Sequence, residues 1–165
     1  GSSNTVIAEC HSHHNGLDGL FLCYRVTGGE FTGNLLEHNG RHGISVGHKD
    51  SDNLFTGNIV RSNRRCGVYF RKNVEQVAGH RNVFRENQIF NNGHGEEGYG
   101  VYLEAENRDQ VFENNAITET RMGEARTQRY GVYIAAGGGP VSLSGNQFSG
   151  HAEADVHDEN ALAGK

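Results

Sequence analysis

Five short stretches alternate apolar residues with others directly after a glycine: Leu20 and Leu22 after Gly19, Ile44 and Val46 after Gly43, Val68 and Phe70 after Gly67, Val101 and Leu103 after Gly100, Val132 and Ile134 after Gly131. Period-two alternation over four or five residues predicts strands, not helices. A second apolar pulse carries Phe31, Phe55, Phe84, Phe112 and Leu143, and a third carries Leu36, Val60, Ile89, Ile117 and Phe148. Asn34, Asn58, Asn87, Asn115 and Asn146 stand between the two pulses. Asn39, Asn63 and Asn92 close the first three copies, with Thr120 and His151 at the matching places of the last two.

A unit of three short strands cannot bury its own inner face, so the copies must stack, each strand pairing with its counterpart in the next coil. The pattern predicts an all-β parallel β-helix solenoid of about five to six coils, a single domain over residues 1–165. The repeated Asn is expected at bends, where it tolerates left-handed backbone and its amide can bond the Asn of the next coil. Repeated Gly, Phe and Asn are therefore assigned to structure and not to a site.

The repeat reads G-[IV]-x-[VLF] followed by [VLF]-F-x-x-N-x-[ILV]-x-x-N over residues 4 to 157. It resembles the right-handed parallel β-helix repeat shared by polysaccharide lyases, uronate epimerases, phage tailspikes and a periplasmic copper-insertion accessory protein. The resemblance implies the fold, and an extracellular or periplasmic setting, more strongly than any one activity.

Composition changes the picture in one respect. The net charge of −5 is unevenly spread. Residues 41–85 hold Arg41, Lys49, Arg61, Arg64, Arg65, Arg71, Lys72, Arg81 and Arg85 against Asp50, Asp52 and Glu75, while both flanking segments are acidic. A basic zone on an acidic chain is a candidate anion site. No stretch approaches the ~18 apolar residues of a membrane span, so no membrane insertion is expected. Three cysteines at different repeat positions do not make a disulfide framework. Gly1-Ser2-Ser3 reads as a cloning remnant and Asn4 enters mid-coil, so the chain is expected to be a piece of a longer one.

Insertions that break a solenoid repeat tend to lie on its functional face. The connections at 10–18, 93–99 and 121–130 read as longer than the minimal ones at 40–42 and 64–66, and a fourth insertion spans 73–81. Placed along one edge, the first three would wall a groove floored by Arg41, His42, Arg64 and Arg65. Outward strand positions beside it would be Phe21, Ser45, Tyr69, Tyr102 and Tyr133, then Cys23, Gly47, Arg71, Glu104 and Ala135. Tyrosines along an exposed sheet suit sugar rings; they also suit a ladder that stabilises the sheet. Small residues at Ser45 and Gly47 predict a dip flanked by His48, Lys49, Tyr69, Arg71 and Lys72.

Cleaving or epimerising a uronate polymer needs a cation for the carboxylate, a base for the adjacent proton and an acid opposite. Lys49, Arg71, His48 and Tyr69 are the catalytic candidates; Arg41, His42, Arg64, Arg65, Lys72, Tyr102 and Glu104 are the substrate-binding ones. Lys49 and Arg71, one coil apart, are similar to the Lys and Arg of β-helix alginate and chondroitin lyases. Asp155-Val156-His157-Asp158 is similar to the Asp-Pro-His-Asp of mannuronan epimerases, with Val for Pro and a place after the coils. Glu104 and Glu106 are the carboxylate pair a glycosidase would need.

Cys10, His11, His13 and His14 carry ligand chemistry for zinc or copper. No cofactor is required by the remaining residues; calcium at Asp50, Asp52 and Asn53 is the candidate. No nucleic-acid motif accompanies the basic zone, so no nucleic-acid partner is expected. The expected function is recognition of an acidic polysaccharide, with lyase or epimerase chemistry in the basic groove. The alternative is a noncatalytic carbohydrate-binding or structural module of a larger secreted or surface protein. Uncovered coil edges predict end-to-end homo-oligomers.

Overall fold

The repeat folds as a right-handed parallel β-helix. The computed structural model describes residues 1–94 and 98–162. In chain order its coils are β1 (Val6–Ala8), β2 (His11–His13) and β3 (Leu20–Phe21); β4 (Glu30–Thr32), β5 (Leu35–Glu37) and β6 (Ile44–Val46); β7 (Leu54–Thr56), β8 (Ile59–Arg61) and β9 (Cys66–Phe70). They continue as β10 (Val83–Arg85), β11 (Gln88–Phe90) and β12 (Tyr99–Leu103); β13 (Gln110–Glu113), β14 (Ala116–Thr118) and β15 (Tyr130–Ile134); β16 (Val141–Ser144), β17 (Gln147–Ser149) and β18 (Ala154–Asp158). A short helix α1 (Glu159–Leu162) follows. Each strand pairs with the strand three places on, giving three six-stranded sheets among the described residues: β1-β4-β7-β10-β13-β16, β2-β5-β8-β11-β14-β17 and β3-β6-β9-β12-β15-β18.

The apolar pulses point inward. Phe31, Phe55, Phe84 and Phe112 form one stack along the axis, with ring centroids 4.7, 4.3 and 4.7 Å apart. Leu36, Val60, Ile89 and Ile117 line the second sheet, and Ile44, Val68, Val101 and Val132 the third. All twelve are buried.

Two runs of amides hold the bends. Asn34, Asn58, Asn87, Asn115 and Asn146 each accept, through Oδ1, the backbone N–H of the matching residue one coil earlier. Their own Nδ2 groups donate to a carbonyl of the preceding coil, as Asn58 does to Phe31. The second run is Asn39, Asn63, Asn92 and Gln128, continued by a Gln128–His151 contact at 3.2 Å. Gln128, not Thr120, takes the fourth place, because the chain leaves the coil after Thr118 and rejoins it at Gln128; Thr120 bonds Asn91 outside. A third run joins Asn53, Asn82 and Gln110 at the remaining corner.

The expected long connection at 10–18 is not one. Residues 11–13 form β2 and pair with β5, and Asn15 donates to Asn39 Oδ1 one regular period away. Cys10 stands where later coils carry Asn, which hid an extra coil. The His11–His14 segment is therefore strand and bend, and no groove wall. The insertion at 73–81 joins the third sheet to the first through a 3-10 turn at Glu75–Val77. The 121–130 excursion carries a 3-10 turn at Gly123–Ala125. It is closed by Glu119, whose carboxylate accepts from Arg121 and from the amides of Thr127 and Gln128. In the 93–99 connection, residues 95–97 lie outside the described residues. No described helix is long and apolar enough to cross a membrane.

Candidate functional site

The third sheet presents its outer face as aligned columns. Register places Phe21, Ser45, Tyr69, Tyr102, Tyr133 and His157 side by side across successive strands. Cys66, Tyr99 and Tyr130 form a parallel column just before them. At the coil corner beside this face, a cavity of about 460 Å³ is lined by Arg41, His42, Arg65, Cys66, Tyr69, Tyr99, Tyr102 and Glu104. A neighbouring cavity of about 390 Å³ shares Arg41 and Arg65 and adds Leu17, Gly40, Arg64 and His94.

The cavity has two chemically distinct walls. On one, Arg41 donates through Nε and Nη2 to the carboxylate of Asp18, whose side chain is only 2% exposed. That pairing orients the guanidinium toward the bend and raises its already high pKa. Arg65 follows at the same corner one coil on, its amide bonded to the Arg41 carbonyl. On the opposite wall, Glu104 accepts from the Tyr69 hydroxyl at 3.1 Å. Burial, then the Glu104 charge, raises the phenol of Tyr69 well above its ordinary value and that of Tyr102 to about 12. Between the walls His42 stacks on Tyr69, centroids 4.4 Å apart. Its Nδ1 accepts the Cys66 amide at 3.3 Å, so its proton sits on Nε2. Burial lowers its pKa to about 4, so the ring is neutral at pH 7.

Of the residues singled out in the sequence, Arg41, His42, Arg65, Tyr69, Tyr102 and Glu104 thus meet in one cavity, and Arg64 lines the adjoining one. Arg71, Lys49, His48 and Lys72 line neither. The expected dip at Ser45 and Gly47 is filled by Arg71 itself, which donates to Ser45 Oγ at 2.9 Å and to the Leu22 carbonyl at 2.7 Å. Arg71 also pairs with Asp50 at 3.3 Å and covers the Phe21 ring. Its side chain is 12% exposed and that of Asp50 is fully buried, so the pair is internal. His48 and Lys49 are the central residues of a turn closed by Asp50 N–H to Gly47 C=O, both with positive φ.

Other expectations are also corrected by position. Asp50 accepts the Val26 and Gly47 amides, Asn53 sits in the corner run, and Asp52 pairs with Arg81, so these three do not converge as calcium ligands. Glu104 follows the end of β12 and Glu106 lies in a left-handed turn paired with Arg108, so they share no strand face. Asp155-Val156-His157-Asp158 belongs to β18, the last strand of the third sheet, and so forms part of the final coil.

Cys66, Tyr99 and Asp18 were missed. A signal was present: Cys66-Gly67-Val68-Tyr69, Tyr99-Gly100-Val101-Tyr102 and Tyr130-Gly131-Val132-Tyr133 repeat one tetrapeptide. The Gly in each has no room for a side chain: a Cβ at Gly67 would meet Ile89 at 2.5 Å and one at Gly100 would meet Ile117 at 2.8 Å.

The model of the periplasmic copper-binding protein family, NosD, matches residues 1–161. This chain belongs to the NosD family. A comparison with curated protein sequences found no match. Among solved structures it is similar to the periplasmic alginate epimerase AlgG, at 12% identity and TM-score 0.66 over 94% of this chain and 39% of that one. It is similar also to the A-modules of two Azotobacter vinelandii mannuronan C-5 epimerases: AlgE4, at 16% identity and TM-score 0.52 over 94% and 58%, and AlgE6, at 21% and 0.60 over 94% and 55%. The chain spans 39% of the length of the first of these and 58% of the second. Identities this low carry the fold alone.

The family name raises the question of copper. His11 Nε2 lies 2.9 Å from Glu37, His13 and His14 meet through Nδ1 atoms 2.9 Å apart, and His14 stacks on His38. Cys10 Sγ turns away to the Ala8 carbonyl. Among the described residues no three His, Cys, Asp or Glu side chains converge to hold a metal ion. The donor types fit copper; their arrangement in this chain does not.

Proposed function

We propose that this chain binds an acidic polysaccharide in the cavity between Arg65 and Glu104, as a noncatalytic module of the periplasmic or extracellular space. One observation carries this: two arginines, a carboxylate and three tyrosines line one cavity. A uronate residue needs both, a cation for its carboxylate and acceptors for its hydroxyls, with an aromatic surface for its C–H faces. The similar solved structures are named as epimerases of alginate or mannuronan, and the family is described as periplasmic; both support the reading.

Proton abstraction finds poor support here. The Tyr69 phenol is raised, His42 Nδ1 is occupied by a backbone amide, and Arg71 neutralises a buried aspartate. The test is titration calorimetry with alginate, pectate, chondroitin and a neutral glucan, alongside ultraviolet absorbance of unsaturated uronate. Binding of an acidic polymer, weakened by Arg65→Gln and without any absorbance rise, is the expected result. A rise in absorbance overturns the noncatalytic reading, and equal binding of the neutral glucan overturns the acidic one.

A further inference from the structure

The cavity ends at Tyr102, but the aromatic surface does not. Tyr102 meets Tyr133 edge to face at 5.4 Å, Tyr99 stacks on Tyr130 at 5.6 Å, and Tyr133 stacks on His157 at 4.7 Å. Six rings on four successive strands, β9, β12, β15 and β18, therefore form one continuous half-buried strip running along the solenoid axis. The rings form two columns, side by side on the same face. Among the described residues the hydroxyls of Tyr102 and Tyr130 have no hydrogen-bond partner, and neither is a buried unsatisfied atom.

Insertions bound this strip on both long sides. The excursion after β14 stands at the corner between the second and third sheets, and the 73–81 insertion at the corner between the third and first. The first belongs to the fifth coil and the second to the third, so each flanks the strip at one coil. Neighbouring strands in a sheet lie about 4.8 Å apart, close to the length of one pyranose in an extended glycan. Each coil therefore offers one equivalent place.

Resting on the glycan reading above, we infer that the polysaccharide lies parallel to the solenoid axis with one sugar per coil. Its anionic residue sits at the Arg41–Arg65 end, and its following residues on Tyr102, Tyr130 and Tyr133 toward β18. Charge sets the direction: the guanidinium groups come from the second and third coils, whereas Glu104 and Glu159, the latter bonded to the Tyr133 hydroxyl, flank the later ones. The far subsites should accept neutral sugars, because their contacts are aromatic and hydroxyl.

The experiment is a length series of a disaccharide, tetrasaccharide and hexasaccharide, each with one terminal uronate followed by neutral sugars, measured by calorimetry and by tyrosine fluorescence. The chain holds no Trp, and Tyr69, Tyr99, Tyr102, Tyr130 and Tyr133 are five of its six Tyr, so the emission reports this strip. The expected result is affinity that rises from disaccharide to tetrasaccharide by about tenfold, the size of one or two aromatic contacts. Tyr130→Ala removes that gain and leaves disaccharide affinity intact, which also shows the variant is folded; Tyr130→Phe keeps most of it. If the disaccharide binds as tightly as the hexasaccharide, the axial placement is overturned while the glycan reading stands. If none of the three binds, both fall.

Discussion

His42 and Tyr69, from consecutive coils, stack with ring centroids 4.4 Å apart and 21° between planes, while the Cys66 amide donates to His42 Nδ1. The contact seals the imidazole from water, and burial lowers its pKa from 6.5 to about 4.

That shift has a pH consequence. The unfolded chain takes up a proton on this ring below about 6.5 and the folded chain only near 4, so the unfolded state binds more protons within that window. The contribution is fully present above pH 6.5 and is lost as pH falls toward 4, to an upper bound of roughly 3 kcal/mol. Urea denaturation across this range should show the loss, and His42→Gln, which keeps an acceptor for Cys66, should flatten it. An unchanged slope in that variant would assign the acid sensitivity to other groups.

Arg71 looked catalytic from its place after a strand, yet it balances the buried carboxylate of Asp50. Burial raises the pKa of Asp50 and lowers that of Arg71, so each depends on the other. Arg71→Ala should destabilise by about 3–5 kcal/mol, because it leaves a buried charge unpaired. Adding Asp50→Asn should recover part of that loss. Polysaccharide affinity, measured below the unfolding transition, should be unchanged by Arg71→Ala.

The amide runs should matter far more than surface amides of the same type. Asn87→Ala strands the Asn58 amide and side-chain donors and leaves the Phe55 carbonyl without its bond. A cost of about 2–4 kcal/mol is expected, since each buried group left unsatisfied costs ~1–3 kcal/mol. Asn91→Ala, whose partner Thr120 lies at the surface, should cost under ~1 kcal/mol. Chemical denaturation of the two variants side by side decides this.

Phe84 lies between Phe55 and Phe112 with no exposed surface. Phe84→Ala should cost about 3–5 kcal/mol and open a cavity that neighbouring coils cannot collapse into, because the strand ladders fix their spacing. Phe84→Leu should cost much less. Thermal melts of both variants check the difference.

Arg65 is the better probe of recognition, because Arg41→Ala would also strand the Asp18 carboxylate. Arg65→Gln, at an exposed position of the same corner, should weaken acidic-polysaccharide binding several-fold, with a shallower dependence on salt, as calorimetry at two salt concentrations would show.

The fold was legible because its cause is periodic. Stacked coils give each inward residue the same surroundings, so Phe31, Phe55, Phe84 and Phe112 recur in the chain as they recur in space. The tyrosine column Tyr69, Tyr102 and Tyr133 was legible for the same reason, as was the cluster of Arg41, His42 and Arg65 at one corner. The first coil escaped because Cys10 replaces the marker Asn while its backbone does the same work, and Gln128 escaped because an excursion separates it from its strand. Where a side chain ends was not legible at all. Arg71 and Lys49 read as neighbours in a dip, but a guanidinium on a long stem reaches back over Gly47 to a buried Asp50, while a left-handed turn takes Lys49 elsewhere. Repetition along the chain settled the backbone by itself, since strand pairing and inward packing depend on local residue type. Pairing of charges was decided only in three dimensions, because burial and the few ångströms between groups on different coils leave no periodic trace in the sequence.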